Sequence, residues 1–299
     1  VYATGIVGAR NAGADDPSFT HAFRQGDDNV RFAFAMPYLQ ADLERFIARH
    51  KGDGHLAVRQ LCATRKGRVA ERIHAGNLDG HPVFRVLLTC RHHCCESMAS
   101  YVLEGFLDAV LAPTEEGKWF RANVEALAIP FVDKDGVEDG DQGKNRAPHD
   151  HNRDYEGESI HSEVRALRAF VPQWSAGTLR VAFDLHCPWM CGKNNEHIYI
   201  VGSSNEALWK EQTRFGSILE SLCGNSVPYR AAGNLPYGTD WNAPTSFTPG
   251  KNCSRWTSEL DGMRLSASFE FPYANAGAVT LTPESARAFG AHLAAATRG

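Results

Sequence analysis

The stretch Arg91-His92-His93-Cys94-Cys95-Glu96-Ser97 places an imidazole and a carboxylate three residues apart, at His93 and Glu96. In a turn where a strand gives way to a helix, such a pair can offer one nitrogen and one oxygen to a single divalent metal. Neutral imidazole with carboxylate suits zinc. By itself His-x-x-Glu is a chance-level pattern, so the reading needs a third ligand, a base and a substrate anchor elsewhere in the chain. Two further residues stand out: His186, ending Leu179-Arg180-Val181-Ala182-Phe183-Asp184-Leu185-His186, and Glu270, within Ser268-Phe269-Glu270-Phe271. A lone strand-end histidine is more often a satisfied structural residue, and a glutamate on an alternating strand is more often exposed. Strand alternation nevertheless puts Glu270 on the face opposite Phe269 and Phe271.

The elements that must position these residues follow from periodicity. Runs at 56–64, 68–73, 83–88, 127–132, 179–186, 197–201 and 265–271 predict strands, and 30–35 predicts one near the start. Helical spacing appears at 39–50, 98–111, 119–126, 158–170, 205–222 and 283–295. Pro37 and Pro113 punctuate, and Ser97 is a candidate cap. Residues 133–155 are polar, glycine-rich and long for a plain connection, which marks them as functional. Residues 224–262 show little periodicity. Strands that alternate with helices and carry apolar runs predict a mixed, mostly parallel sheet covered on both faces, with sites where the strands end.

The 299 residues suffice for one large α/β domain or two small ones, with a sizeable core. A formal net charge of −4 gives no reason to expect nucleic acid or an anionic membrane as partner. No apolar run approaches the roughly 18 residues that span a bilayer. The eight cysteines do not imply a disulfide framework in a chain this long. The chain begins at Val1. That start points to a processed or trimmed product, from which a removed signal peptide would leave no trace.

Five segments in order resemble a zinc metallocarboxypeptidase of the carboxypeptidase A-like family, nearest the cytosolic carboxypeptidase subgroup and its bacterial relatives. They are Arg91–Ser97, Asp135-Gly136-Val137, Asp150-His151-Asn152-Arg153, Asp184-Leu185-His186 and Ser268-Phe269-Glu270-Phe271. The resemblance implies a three-layer α/β/α sandwich over residues 37–299, preceded by a lead-in at 1–36 too short for an independent β-sandwich. It implies one zinc ion per chain held by His93, Glu96 and His186, with Glu270 as general base. Asn152 and Arg153 would bind the terminal carboxylate of a peptide or protein, and Asp150 would orient the first ligand. Arg146 would be the electrophile at the oxyanion, with Lys144 as second choice. Arg255 would line the side-chain pocket and favour acidic C-terminal residues. His92 is read as pointing away from the metal.

The chain departs from the family pattern in several places. The mobile tyrosine of some members has no clear counterpart, Tyr237 being the nearest candidate. Cys94 and Cys95 sit inside the ligand motif, with Cys187 and Cys191 after the third ligand. They are read as small packing residues, the alternative being a competing thiolate. Two other functions fit the same residues: an amidohydrolase of the aspartoacylase-like kind, and a peptide-binding module without catalysis. Cytoplasmic residence is the expectation for compartment, with export behind a cleaved signal as the alternative.

Overall fold

The computed structural model describes residues 22–26, 30, 33–224, 226–247 and 250–299. The chain divides into two units, Val1–Phe34 and Ala35–Gly299, and the second carries everything below. The lead-in falls largely outside the described residues; of the strand expected at 30–35, residues 30 and 33–35 are described and none is in a strand.

The second unit opens with α1 (Gln40–Arg49), then the hairpin β1 (Leu56–Ala63) and β2 (Val69–Gly76). There follow β3 (Phe84–Cys90), α2 (Ser97–Leu111), α3 (Glu115–Asn123), β4 (Val124–Ile129) and the short α4 (Lys134–Asp139). Next come α5 (Ser162–Ser175), β5 (Leu179–His186), β6 (Tyr199–Val201) and α6 (Glu206–Cys223). The last elements are α7 (Cys253–Ser258), β7 (Leu265–Glu270), the small hairpin β8 (Asn275–Ala276) and β9 (Val279–Thr280), and α8 (Pro283–Arg298). The seven-stranded sheet has the order β1-β2-β4-β3-β5-β7-β6. Its four central strands are parallel, whereas β1, β2 and β6 run antiparallel to their neighbours.

Alternation along the strands decides which layer each side chain joins. Val86, Leu88 and Cys90 of β3, Ala126 and Ala128 of β4, and Leu265, Ala267 and Phe269 of β7 enter one core with α1, α2, α6 and α8. Leu87, Leu127, Ile129 and Ala182 enter the other, packed by Val164, Leu167 and Val171 of α5 and Cys253 and Trp256 of α7. The result is the expected three-layer sandwich. In the first layer α2 and α8 cross at glycines: a Cβ on Gly105 would lie 2.0 Å from the Arg287 carbonyl oxygen, and one on Gly290 2.0 Å from that of Val102. Only hydrogen at these positions lets the two backbones approach so closely.

Some element boundaries differ from the periodicity reading. The helix read at 119–126 lies at Glu115–Asn123, because Val124 and Ala126 already belong to β4 and face the core. The polar stretch 133–155 holds α4, started by the Asp133 side chain accepting from Gly136 N at 2.9 Å. The aperiodic stretch 224–262 holds α7, capped by Asn252. The helix read at 158–170 starts later and runs through Pro172 to Ser175. Among the described residues no helix is long and apolar enough to cross a membrane.

Candidate active site

The parallel strands β3, β5 and β7 end side by side, and their chain directions put five polar residues at one edge. His186 is the direct neighbour of Glu270 across β5 and β7, and Asp184 is the neighbour of both Thr89 and Ser268. Asp184 and His186 alternate with Phe183 and Leu185, which lie in the apolar core, so both face the α5–α7 side. Ser268 and Glu270 share that face, opposite the buried Phe269 and Phe271. The antiparallel register of β6 brings Tyr199 beside Glu270.

After Cys90 the chain must turn sharply from β3 into α2. Arg91 makes the turn with φ +61°, a left-handed conformation that costs a non-glycine residue roughly 1–2 kcal/mol. Its buried guanidinium holds the turn in place, bonding the carbonyl oxygens of Cys94 and Tyr38 and the Ser100 hydroxyl. Glu96 occupies the cap position and Ser97 is the first helical residue, so the carboxylate is released from capping and faces the histidines. Glu96 Oε1 lies 3.0 Å from His93 Nδ1, and Oε2 lies 2.7 Å from His186 Nδ1.

His93, Glu96 and His186 each offer a ligand atom within 4.8 Å of the others. His93 and His186 line a cavity of about 550 Å³, together with Lys144, Asp150, Arg153, Trp189, Tyr199, Trp241, Ser268 and Glu270. Two imidazoles and a carboxylate facing an open cavity have the chemistry of a divalent-metal site with a position left for solvent or substrate. The outer ring nitrogens are held as such a site requires. His186 Nε2 lies 2.8 Å from Asp184 Oδ2, and a proton held there would leave Nδ1, 2.7 Å from Glu96 Oε2, free to face a metal. His93 Nε2 faces Asp150 Oδ1 at the longer distance of 3.7 Å. Burial opposes the Asp150 charge, yet His93, Arg153 and the Asn152 N–H hold the carboxyl well below its ordinary range.

The charges in the cavity balance one another. Burial opposes the Glu96 carboxylate, but Lys144, His93 and His186 outweigh it and keep it ionised. Burial likewise opposes a charged Lys144, whose ammonium is held protonated by Glu96, 2.8 Å away, and by Glu270. Glu270 goes the other way: burial pushes its carboxyl up to about 7, against the pull of His186. Its Oε2 is buried with no hydrogen-bond partner among the described residues. A carboxylate left so costs a few kcal/mol, which points to a partner that arrives with substrate or solvent.

Several expected placements change. Lys144 and Asn145 line the cavity, whereas the Arg146 guanidinium turns away to Asp133, 2.5 Å, and Asp141, 3.1 Å. These two ion pairs hold the guanidinium in that direction. Arg255 lies on the outer side of α7, 64% exposed and 4.0 Å from Glu259, and is absent from the cavity wall. Asn152 is buried with its amide already engaged: Nδ2 lies 3.1 Å from Asp184 and 2.9 Å from His186, and Oδ1 accepts from Cys253 N. Arg153 does line the cavity, its guanidinium braced by the carbonyls of Asn152 and Ser246. Tyr237 is exposed and absent from the wall, while Tyr199 is part of it and accepts from Trp241 Nε1 at 3.2 Å.

All eight cysteines are free. Burial raises the thiols of Cys94, Cys95 and Cys187, so these are neutral packing groups. The hub at Asp184 was missed by the sequence reading. Its signal was present: it sits two residues before His186, on the same strand face. A second His/Asp/His set, His149, Asp154 and His161, lies outside the cavity wall. There Asp154 accepts from the backbone N–H groups of Ile160 and His161 and staples the loop ahead of α5.

No family model matches the sequence. Cytosolic carboxypeptidase 3 of Bos taurus is 26% identical over 231 residues, covering 71% of this chain and 22% of that protein. Cytosolic carboxypeptidase 2 of Xenopus tropicalis is 26% identical over 147 residues, 46% of this chain and 15% of that protein. The chain thus spans about a fifth of the length of the curated relatives it matches. Among solved structures, a metallo-carboxypeptidase from Burkholderia cenocepacia superposes with TM-score 0.68 at 21% identity, covering 88% of this chain and 69% of that one. A metallo-carboxypeptidase from Pseudomonas aeruginosa gives TM-score 0.62 at 17% identity, covering 87% and 68%. The chain has the carboxypeptidase A-like fold, with low-identity homology to cytosolic carboxypeptidases.

Proposed function

We propose that the chain is a zinc-dependent carboxypeptidase that removes the C-terminal residue of a peptide or protein. The observation that carries this reading is Glu270. A buried carboxylate with a partnerless oxygen lies across one strand pair from His186, in the same cavity as the His93–Glu96–His186 set.

His93, Glu96 and His186 would hold the ion, and zinc suits the two-imidazole, one-carboxylate set. Bound there, zinc supplies Lewis acidity and lowers the pKa of water. Every other task falls to side chains. Glu270, poised near neutrality, takes a proton from the attacking water and hands it to the leaving amine. Lys144, kept charged in a largely buried place, faces the oxygen on which negative charge develops. Arg153 anchors the terminal carboxylate, a planar fork being suited to two-point recognition. Asp184 holds the His186 ring and is itself held by the Asn152 amide, and Asp150 faces the ring of His93. Trp189, Tyr199 and Trp241 offer apolar surface to the peptide. The acidic preference no longer has Arg255 behind it; Lys193 is the further cation on the wall. Eight unpaired cysteines support a reducing compartment such as the cytoplasm.

The test is to load the purified chain with zinc and incubate it with peptides ending in acidic, basic or apolar residues, and with N-acyl amino acids. Stepwise release of single C-terminal residues, abolished in Glu270→Gln, is the expected result. Cleavage confined to acyl amino acids would replace this reading with an amidohydrolase, and bound peptide without turnover would replace it with a binding module.

A further inference from the structure

We infer that His92 is a positioning residue for the metal site, acting on His186 through Asp184. The inference rests on the reading of His93, Glu96 and His186 as the metal ligands. His92 is 0% exposed and stands outside the cavity wall, so it meets neither substrate nor solvent. Its ring spans two partners. Nε2 lies 2.7 Å from the Tyr155 hydroxyl, and Nδ1 lies 2.8 Å from Asp184 Oδ1, bent off the ideal hydrogen-bond line. The roles are consistent in a neutral imidazole: the phenol donates to Nε2 and the Nδ1–H faces the carboxylate.

The account at Asp184 closes only with His92 included. Oδ1 meets Thr89 Oγ1 at 2.9 Å and His92 Nδ1 at 2.8 Å. Oδ2 meets His186 Nε2 at 2.8 Å and Asn152 Nδ2 at 3.1 Å. A fully buried, acceptor-only carboxylate thus has two donors on Oδ2 and one on Oδ1, where the off-line His92 Nδ1–H makes the second close contact. Without His92, Oδ1 keeps only Thr89, and the carboxylate can rotate about its Cβ–Cγ bond. Because His186 takes its orientation from Oδ2, that rotation swings Nδ1 away from Glu96. His92, Asp184 and His186 also form a close set of their own. That set is sealed from the cavity and its outer nitrogen is occupied by Tyr155, so it has no open position for chemistry.

The geometry of the two contacts supplies its own controls. Asn at position 92 places its amide where Nδ1 was and keeps the Asp184 contact while losing Tyr155. Gln places its amide near Nε2 and keeps Tyr155 while losing Asp184. Zinc affinity is measured by chelator competition on the full chain, with the spectrum of the Co²⁺-substituted protein as a second readout and circular dichroism to confirm the fold. The expected result is that His92→Gln and His92→Leu lose about 10- to 100-fold in affinity and shift the Co²⁺ bands, whereas His92→Asn stays close to the parent. If His92→Leu does not fold, the Asn–Gln pair decides alone. Equal affinities for Asn, Gln and parent overturn the inference. Loss of metal in all three variants also overturns it, because His92 would then be a ligand. A parent chain that binds no zinc overturns the proposed metal site instead.

Discussion

The two faces of this sheet solve different problems with the same strands. On the α2–α8 face, side chains of β3, β4, β5 and β7 enter a continuous apolar core, and two helices cross at Gly105 and Gly290 with no room for a methyl group. On the α5–α7 face a smaller apolar core gives way, at the ends of β3, β5 and β7, to Thr89, Asp184, His186, Ser268 and Glu270, all buried and all polar. The first arrangement gains stability from close packing. The second costs stability, because burial opposes the charge on groups such as Asp184 and Glu270. What makes it tolerable is the rigidity of the first: strands locked by one face hold the other's polar groups at fixed distances. Stability and chemistry are therefore separable between the apolar packing and the polar strand ends.

Five substitutions can break or sharpen that separation. Glu270→Gln should lower kcat/KM by about 10²–10⁴-fold while the melting temperature holds or rises, because a buried unpaired charge is removed. Steady-state kinetics beside a thermal melt reads both. Lys144→Met should cost about 10²-fold in kcat with little change in KM, the signature of an interaction made in the transition state. A loss confined to KM would instead make Lys144 a substrate anchor.

Gly290→Ala should do the reverse. Its new Cβ would lie 2.0 Å from the Val102 carbonyl oxygen, so about 1–3 kcal/mol of stability goes, with activity per folded molecule unchanged. Urea titration with active-site counting separates the two.

Glu125 tests an ion pair at the edge of the polar face. Burial opposes its charge, but His74 at 2.8 Å, Trp174 at 2.8 Å and Arg85 at 2.9 Å lower its pKa. A lowered folded value means this stability is present above the unfolded pKa of about 4.3 and is lost as pH falls below it. Glu125→Gln should flatten that acid loss by about 1 kcal/mol in denaturation curves between neutral and acid pH. The smallest effect belongs to Arg255→Ala. Exposed and tied to Glu259, it should alter selectivity between acidic and apolar C-termini by less than about twofold.

The sequence by itself determined the layers and the pairing of His93 with Glu96, because both depend on local periods. Strand alternation sorted Phe269 and Phe271 from Glu270, and the spacing of three put His93 and Glu96 in one turn. Helix ends were less legible, since β4 takes over from α3 at a residue that suits either element. Only the tertiary structure decided which cation faces the cavity. Lys144 and Arg146 are two residues apart in one loop. Their assignment rests on Asp133 and Asp141 capturing the guanidinium and Glu96 capturing the ammonium. Arg255 was misplaced for a similar reason, since its helix, α7, had no periodic signal. The buried pair of His92 with Asp184 was equally invisible. Residues 92 apart in the chain meet only when parallel strands place their C-terminal ends side by side, and no local pattern encodes that contact.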